Sequence, residues 1–465
     1  MMRKNLEIRN PWWKDHKYIP REESLPKRDL YFELLDNLEH SLILNIVGLR
    51  RVGKSTILKQ LIAHLVEKKT NPEYVFYFLF DYASQIKKTK FLDEILSFYF
   101  EQVIDNPAML FKESEKVYIF LDEIQYIENW QAVLKKYYDL SNKRIKFIVT
   151  GSQSMLLKGK NRESLAGRIF DYYLPPMSFR EFIRIKQAQV EVLNPYDLFD
   201  LPKLFGKLTQ FDLYNGKKIY DLSREYIVSG QFPETLELRD INKRHNYINE
   251  SVIGKIEEDC VNIFNIEKVD EFKLMVRYLL NNVGSIFEII NIGREVKASK
   301  KTLEKYIGYL KESYIFEIIY KYHKSLIKRG RVSKKIYTTC TNFICALNYY
   351  TEDHMNEVPQ AFGKIIENAV YDALSLKYIN GDSISFFRDK EREIDFIISK
   401  NNKQLPMEVK SSNNIKFSDL IAINKYLKKE RLDFGIVVTR NQIEKKNING
   451  NTIYYIPYYL ILMMI

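Results

Sequence analysis

A glycine-rich stretch near the amino terminus combines a lysine with two hydroxyl side chains. It reads Gly48-Leu49-Arg50-Arg51-Val52-Gly53-Lys54-Ser55-Thr56 and fits the pattern G-x-x-x-x-G-K-[ST]. Gly48 and Gly53 allow the backbone to curl so that its N–H groups converge on phosphates, and a helix expected near Lys54 adds its positive end. Lys54 would neutralise the β- and γ-phosphates, and Ser55 would bind Mg²⁺. The stretch is predicted to bind ATP with Mg²⁺, a chance glycine turn being the alternative.

A second group of chemically useful residues ends an apolar run. The run Val117 to Leu121 is followed directly by Asp122 and Glu123. Asp122 at the strand end could hold the water shell of Mg²⁺, and Glu123 could polarise the attacking water as a general base. An acidic pair after a strand is often only a solvated turn, but downstream of a phosphate loop it indicates the metal-holding acid of a nucleotide hydrolase.

Further polar residues follow at two places where the interpretation stays open. Thr150-Gly151-Ser152 ends the next apolar run, and a hydroxyl there could sense the γ-phosphate or simply cap a turn. Arg168 could act as an arginine finger on the nucleotide of a neighbouring subunit, or it could be an ordinary surface arginine.

Apolar runs that alternate with helical patterns must position these residues. Strands are predicted at Leu42 to Val47, Tyr74 to Phe80, Val117 to Leu121, Ile145 to Val149 and Ile169 to Leu174. After the first strand, apolar residues recur at helical spacing (Ile57, Leu58, Leu61, Ile62 and Leu65), which gives the helix one face to pack on a sheet. This alternation predicts a parallel sheet with helices on both faces.

The middle of the chain is predicted to be mainly helical. A helical lid or connector is expected from Pro175 to about Tyr247, interrupted around Asn215 to Lys218. Helices and then two extended runs between Asp270 and Phe343 have the order of a winged helix. Its second helix exposes Lys300, Lys301, Lys305 and Lys311, and the extended runs carry Lys321, Lys324, Lys328, Arg329, Arg331, Lys334 and Lys335. This charge favours DNA binding, but a solvated hairpin or a protein-contact module has the same pattern.

The last part of the chain brings carboxylates and a lysine into a nuclease-like order. Glu367 lies in a predicted helix, Asp395 in a strand, and Glu408 and Lys410 at the end of the next strand. Residues two apart in a strand share a face, so the E-x-K pair can act together. The three acids could share a divalent metal with Lys410 orienting a water. The alternative is a salt-bridged strand in an inactive relative of the PD-(D/E)xK nucleases.

Taken together, these motifs resemble the archaeal and bacterial AAA-type P-loop ATPases that carry a C-terminal nuclease-like domain of unknown function. The resemblance rests on GLRRVGKST, LDEIQ, TGSQS, LAGR and the run Leu174 to Phe182, and it continues through Gly230-Gln231-Phe232-Pro233-Glu234. This chain has Ser229-Gly230 where the family usually has two glycines, and Cys340 where it often has aspartate. The resemblance implies ATP and Mg²⁺ binding, with no assigned cellular role.

The expected fold is multidomain α/β. It comprises an AAA-type P-loop ATPase domain (1–182), a helical lid or connector (183–255), a winged helix (256–350) and a restriction-endonuclease-like PD-(D/E)xK domain (351–465). The function predicted is a Mg²⁺-dependent ATPase that couples nucleotide state to the winged helix and the nuclease-like domain, with DNA as a candidate partner. The alternatives are a nucleotide-switched DNA- or protein-binding module with slow turnover, or a metal-dependent nuclease.

Composition sets the broad limits on these interpretations. At 465 residues the chain exceeds one hydrophobic core, and a net charge of +12 favours a polyanionic partner. The 3 cysteines form no C-x-x-C pair, which favours a reducing, cytoplasmic compartment, and the scattered 6 histidines give no zinc spacing. No membrane segment or signal peptide is expected. A homo-oligomer or a protein partner is compatible with the sequence.

Overall fold

The computed structural model describes residues 2–80, 88–104, 116–141, 143–152, 165–323, 333–378, 383–389 and 392–465. Contacts divide the chain into two units. Unit 1 comprises Met1–Pro175 with Glu312–Tyr314, and unit 2 comprises Pro176–Lys311 with Ile315–Ile465.

Unit 1 is built on a five-stranded parallel sheet. The strands are β1 (Ile43–Val47), β2 (Val75–Leu79), β3 (Val117–Asp122), β4 (Ile145–Gly151) and β5 (Ile169–Tyr173), in the order β2-β3-β4-β1-β5. Each strand predicted from the sequence is confirmed, with ends displaced by no more than two residues. Because parallel strands point the same way, β1 and β3 deliver their C-terminal residues to one edge of this sheet.

Helices cover this sheet. They are α1 (Met2–Arg9), α2 (Asp29–Asp36), α3 (Lys54–Glu67), α4 (Thr89–Gln102) and α5 (Trp130–Leu140). Every residue of β1 and of β3 is buried, as expected when a parallel sheet has helices on both faces. The apolar face predicted for α3 is also confirmed, since Ile57, Leu58, Leu61, Ile62 and Leu65 are buried.

Unit 2 contains most of the remaining helices. From residue 176 onward they are α6 (Phe179–Ile185), α7 (Leu201–Ser229), α8 (Ile241–Asn246), α9 (Gly254–Phe264), α10 (Val269–Asn281), α11 (Ile289–Val296), α12 (Lys300–Glu312), α13 (Thr341–Leu347), α14 (His354–Glu357), α15 (Pro359–Lys377), α16 (Ile421–Glu430) and α17 (Tyr458–Met464). A π-helical stretch, Tyr247–Ile253, joins α8 to α9.

The helix α7 corrects one expectation. Its 29 residues run without a break through the polar stretch that was predicted to interrupt it. Lys217 and Lys218 lie on its exposed face, whereas Gly216 is buried and a Cβ there would lie 3.3 Å from the Tyr459 hydroxyl. The polar residues therefore mark the solvent side of a continuous helix.

An eight-stranded mixed sheet forms the rest of unit 2. Its strands are β6 (Phe316–Lys321), β7 (Lys334–Thr338), β8 (Ser383–Asp389), β9 (Arg392–Lys400), β10 (Lys403–Val409), β11 (Phe434–Thr439), β12 (Glu444–Ile448) and β13 (Asn451–Pro457), in the order β12-β13-β11-β10-β9-β8-β6-β7. The two strands predicted to carry Asp395 and Glu408 are confirmed as β9 and β10. The apolar end of the chain forms β13 and the fully buried α17.

The described residues of the predicted winged-helix segment have the expected element order. The helices α10, α11 and α12 precede the antiparallel pair β6–β7, and Ile286 bridges to Lys335. However, β6 also pairs in parallel with β8 through Tyr320↔Ser385. The strands β6 and β7, which precede residue 350, therefore belong to the same sheet as β8 to β13, although a domain boundary was predicted after residue 350. They also cover the edge of β8, which would otherwise be open.

A buried hydrogen-bond network surrounds Gln231, in the segment that carries part of the family resemblance. The Gln231 side chain accepts from Thr341 Oγ1 (2.8 Å) and donates to Asp372 Oδ2 (2.9 Å), while its backbone N–H donates to Asn342 Oδ1 (2.7 Å). Cys340, which replaces the usual aspartate, lies in the same network with Sγ 3.2 Å from Gln231 Oε1. Burial raises the pKa of Asp372 well above its ordinary value, while the hydrogen bond from Gln231 acts to lower it.

Candidate nucleotide site and carboxylate cluster

The loop between β1 and α3 depends on glycine at both of its ends. At Gly48 (φ 153°) a Cβ would lie only 2.2 Å from the Leu174 carbonyl oxygen, so no larger residue fits. Gly53 has φ 101° and caps α3 in the left-handed region, where glycine alone is unstrained. The helix begins at Lys54, and its N-terminal N–H groups therefore face the loop.

Lys54 lies inside this loop. Its side chain is buried, and Nζ donates to the carbonyl oxygens of Leu49 (2.8 Å) and Gly48 (3.1 Å). The loop thus holds a positive charge next to the first turn of α3, as an anion-binding site requires.

Asp122 connects the end of β3 to this loop. It is fully buried and accepts hydrogen bonds from Thr150 Oγ1 (2.5 Å), from the Tyr77 hydroxyl (2.9 Å) and from the Ser55 side chain. Burial and then the charge of Glu123 raise the pKa of Asp122, while these hydroxyls act to lower it. The two residues predicted to bind Mg²⁺ are therefore in contact, and their oxygens are the ligand type that this ion prefers.

Glu123 is held by residues on both sides. Its backbone is left-handed (φ 56°), and its N–H donates to Thr150 Oγ1 at 2.9 Å. Its carboxylate accepts a hydrogen bond from Gln125 Nε2, and the same Nε2 lies 3.0 Å from Ser152 Oγ. Thr150 contacts the acidic pair directly and Ser152 contacts it through Gln125, and the role of either hydroxyl as a phosphate sensor stays a prediction.

Two residues at this site were missed from the sequence. Gln125 was noted only as part of a motif, because no spacing rule gives a glutamine a role. Arg28 had no signal at all, yet it is buried and its guanidinium donates to the carbonyl oxygens of Val52 (2.6 Å) and Pro175 (2.9 Å). Arg28 therefore fixes the backbone of the loop at Val52, the residue that immediately precedes Gly53.

Arg168 lies at the opposite edge of the sheet from the loop. Its carbonyl accepts from Ile43 N (2.8 Å) at the start of β1, and its Nε lies 3.0 Å from Asp139 Oδ1. Four residues of β1 separate that edge from Val47, which is roughly 13 Å at the usual strand rise. Arg168 therefore does not reach the nucleotide site of its own chain.

The predicted nuclease residues do converge in unit 2. Glu367, Asp395 and Lys410 line a cavity of about 310 Å³, and Glu408 contacts Lys410 Nζ through Oε1 at 2.7 Å. Burial, and then Asp395, raise the pKa of Glu367 to about 7 and that of Glu408 to about 8.

A buried lysine occupies this cluster and corrects two expectations. Lys335 was predicted on an exposed wing, but its side chain is only 2% exposed and contacts Glu367, Glu393 and Asp395. Burial acts to lower the pKa of Lys335, but Glu367, Asp395 and Glu393 raise it above its ordinary value, so the ammonium stays charged. In the described part of the chain, no group of three or more His, Cys, Asp or Glu side chains could hold a metal ion. The residues thus do not fit the predicted second metal site.

The other wing cations are divided between two groups. Lys321 and Lys334 are half-buried on β6 and β7. Lys324, Lys328, Arg329 and Arg331 lie outside the described residues. Among the described residues, no helix is both long and apolar enough to cross a membrane.

The parallel sheet, its glycine-rich loop and the acid at the end of β3 define a P-loop nucleotide-binding protein. Within that class, residues 40–183 match a family model described as an AAA domain. Residues 220–353 and 362–459 match two further family models, each described as a domain of unknown function.

Two curated relatives are similar to this chain over most of their length. The uncharacterized protein MJ1637 of Methanocaldococcus jannaschii is 29% identical over 455 residues, which is 94% of this chain and 87% of the relative. An uncharacterized protein of Haemophilus influenzae is 24% identical over 453 residues, covering 94% of this chain and 99% of the relative.

Solved structures show a more distant similarity. The Walker-type ATPase PABY2304 of Pyrococcus abyssi is 16% identical and covers 70% of this chain and 97% of its own, with a TM-score of 0.43. Cdc6p of Pyrobaculum aerophilum is 13% identical and covers 73% and 97%, with a TM-score of 0.28.

Proposed function

We propose that the chain hydrolyses ATP at the loop of residues 48–56, with Mg²⁺ held by Ser55 and Asp122. One observation carries this proposal: the Ser55 side chain is hydrogen-bonded to the buried Asp122, and Lys54, the residue before Ser55, places its ammonium against the carbonyl oxygens of the same loop. One short segment thus supplies oxygen ligands for a hard cation and a positive charge for a phosphate.

The roles of the chain's own residues follow from their positions. The N–H groups of the loop and of the first turn of α3 bind phosphate oxygens, and Lys54 exchanges its carbonyl contacts for the β- and γ-phosphates. Mg²⁺, when bound, neutralises charge that develops on the β- and γ-phosphate oxygens.

Glu123 is the proposed general base, and Gln125 is a positioning residue that acts through it. The Gln125 amide donates to the Glu123 carboxylate and directs it toward Ser152, at the end of β4. Glu123 can then accept a proton from a water beside the γ-phosphate once its contact with Gln125 opens.

Steady-state phosphate release with Mg²⁺ tests this proposal, together with calorimetric titration of ATP. Lys54→Ala should abolish phosphate release and weaken ATP binding. Lys68→Ala is the matched control because Lys68 is exposed and follows the far end of the same helix. Equal rates for wild type and Lys54→Ala would refute the proposal.

The position of Arg168 supports a second part of the proposal, the assembly of several copies of this chain. Since it lies at the opposite edge of its own sheet, it can reach a nucleotide only in a neighbouring subunit. We expect a homo-oligomer whose mass increases when ATP is added. An Arg168→Ala variant that assembles yet hydrolyses ATP at the wild-type rate would remove the arginine from this role.

Nucleic-acid binding by α12 is a second candidate function. Its face formed by Leu303, Tyr306, Ile307 and Leu310 is buried, which leaves a set of exposed lysines on the outer side of the helix. These are Lys300, Lys301, Lys305 and Lys311. Such a row could contact phosphates in a groove of duplex DNA.

Fluorescence anisotropy of a labelled duplex over a series of salt concentrations tests this candidate. Replacing Lys301 and Lys305 together by alanine should weaken binding and reduce the salt slope by about two, one for each lost phosphate contact. Lys425 and Lys428 are exposed lysines on α16 and provide the matched double control. Unchanged binding by the α12 variant would exclude this helix.

A further inference from the structure

The nuclease-like cluster of unit 2 contains a cation supplied by the chain itself. Lys335, from β7, places Nζ 2.5 Å from Glu393 Oε1, 3.1 Å from Glu367 Oε1 and 3.4 Å from Asp395 Oδ1. Its side chain is 2% exposed, so water does not screen these contacts. The ammonium thus contacts two of the three carboxylates that were predicted to share a divalent metal, those of Glu367 and Asp395.

The remaining contacts of the predicted metal ligands also come from the protein. Glu367 Oε1 accepts a second hydrogen bond from the Tyr337 hydroxyl at 2.6 Å, and Asp395 Oδ2 accepts from Val409 N at 2.9 Å. Glu408 Oε1 lies 2.7 Å from Lys410 Nζ. Each carboxylate that was predicted to bind the metal therefore already accepts a hydrogen bond or ion pair from a protein donor.

A divalent ion and this ammonium exclude each other for two reasons. Mg²⁺ needs oxygens at about 2.0–2.1 Å in a near-octahedral shell, which the carboxylates cannot provide while they surround Nζ. In addition, a second cation a few ångströms from a buried ammonium is strongly repelled because the interior screens charge weakly.

We propose that the Lys335 ammonium permanently replaces the divalent metal, so that this nuclease-like site binds no metal and cleaves no phosphodiester. The cluster instead joins β7 to α15 and β9 by ion pairs. The inference concerns unit 2 alone, and it stands or falls independently of ATP hydrolysis in unit 1.

Mn²⁺ titration of the full-length chain without nucleotide, followed by calorimetry, tests the proposal. Only binding that disappears in Asp395→Asn is counted, which removes any contribution from the nucleotide site. Wild type should show none. Lys335→Met should gain an Asp395-dependent site on the order of a hundredfold tighter than any in wild type, because the competing charge is gone.

Two results would overturn the proposal. One is Asp395-dependent Mn²⁺ binding, or Asp395-dependent nicking of supercoiled plasmid, by wild type; this measurement needs no destabilised variant. The other is a folded Lys335→Met protein that gains no metal site, since Lys335 would then not be what excludes the metal. Lys334→Met, on the other face of the same strand, is the matched control and should resemble wild type.

Discussion

Lys54 in unit 1 and Lys335 in unit 2 are both buried lysines, yet their surroundings differ. The Lys54 ammonium donates to backbone carbonyls of the loop, whereas the Lys335 ammonium contacts carboxylates. Carbonyl contacts solvate an ammonium without cancelling its charge, while carboxylates neutralise it. The same residue type thus prepares one site for an anionic ligand and closes the other.

The largest expected effect is on the rate of ATP hydrolysis in unit 1. Glu123→Gln should lower the rate of phosphate release by about 10²–10⁴-fold, the usual contribution of a general base, while ATP still binds. The measurement is single-turnover hydrolysis beside calorimetric ATP binding. Glu128→Gln, an exposed glutamate nearby, should leave the rate unchanged. A rate within twofold of wild type for Glu123→Gln would assign the water activation to another residue.

The next effect concerns the unit 2 lysine. Lys335→Met should lower the free energy of unfolding by roughly 3–5 kcal/mol, because it leaves buried carboxylates without their cation. Chemical denaturation monitored by fluorescence measures this change against Lys334→Met. A stability equal to wild type would show that the ion pairs of Lys335 contribute nothing.

The stability of Lys335→Met should also depend on pH. Because burial and Asp395 raise the folded-state pKa of Glu367 to about 7, above its ordinary 4.5, the folded state binds this proton more tightly than the unfolded state. Lowering the pH from 8 to 5.5 therefore favours folding, most of all where the ammonium is missing. The deficit of Lys335→Met should shrink by about 1–2 kcal/mol over this range. Thermal unfolding at both pH values measures it, and a deficit that grows at low pH would contradict the argument.

The smallest effect concerns Arg28, whose hydrogen bonds hold the phosphate loop in place. Arg28→Lys should destabilise unit 1 by about 1 kcal/mol and weaken ATP binding several-fold, since a lysine cannot donate to both Val52 and Pro175 with a planar fork. Calorimetry and thermal unfolding measure these changes. Arg21→Lys, at an exposed arginine of the preceding segment, is the matched control.

The unit 1 sheet was predictable because its signals are local. Each strand is a short apolar run, and the loop is a contiguous motif whose residue types and spacing are complete within nine residues. Asp122 could be found for the same reason, as the residue that ends a strand. Gln125 and Arg28 could not, because their roles arise from contacts with Glu123 and Val52 that no periodicity encodes.

The unit 2 cluster was predictable only in part. The two-residue period of a strand and the E-x-K spacing identified four of its residues from the sequence: Glu367, Asp395, Glu408 and Lys410. Lys335 was assigned to a wing because neighbouring lysines and arginines surround it in sequence. Its burial follows from the pairing of β6 with β8, a long-range contact that the charge pattern does not reveal.

That pairing has a practical consequence for dissecting the chain. A fragment that starts at residue 351 would omit β6 and β7, so the flank of β8 would lose its hydrogen-bonding neighbour and Glu367, Glu393 and Asp395 would lose Lys335. An uncovered strand recruits other chains, and uncompensated interior acids resist folding. Expression of the terminal part should therefore start upstream of β6 if it is to yield monodisperse material.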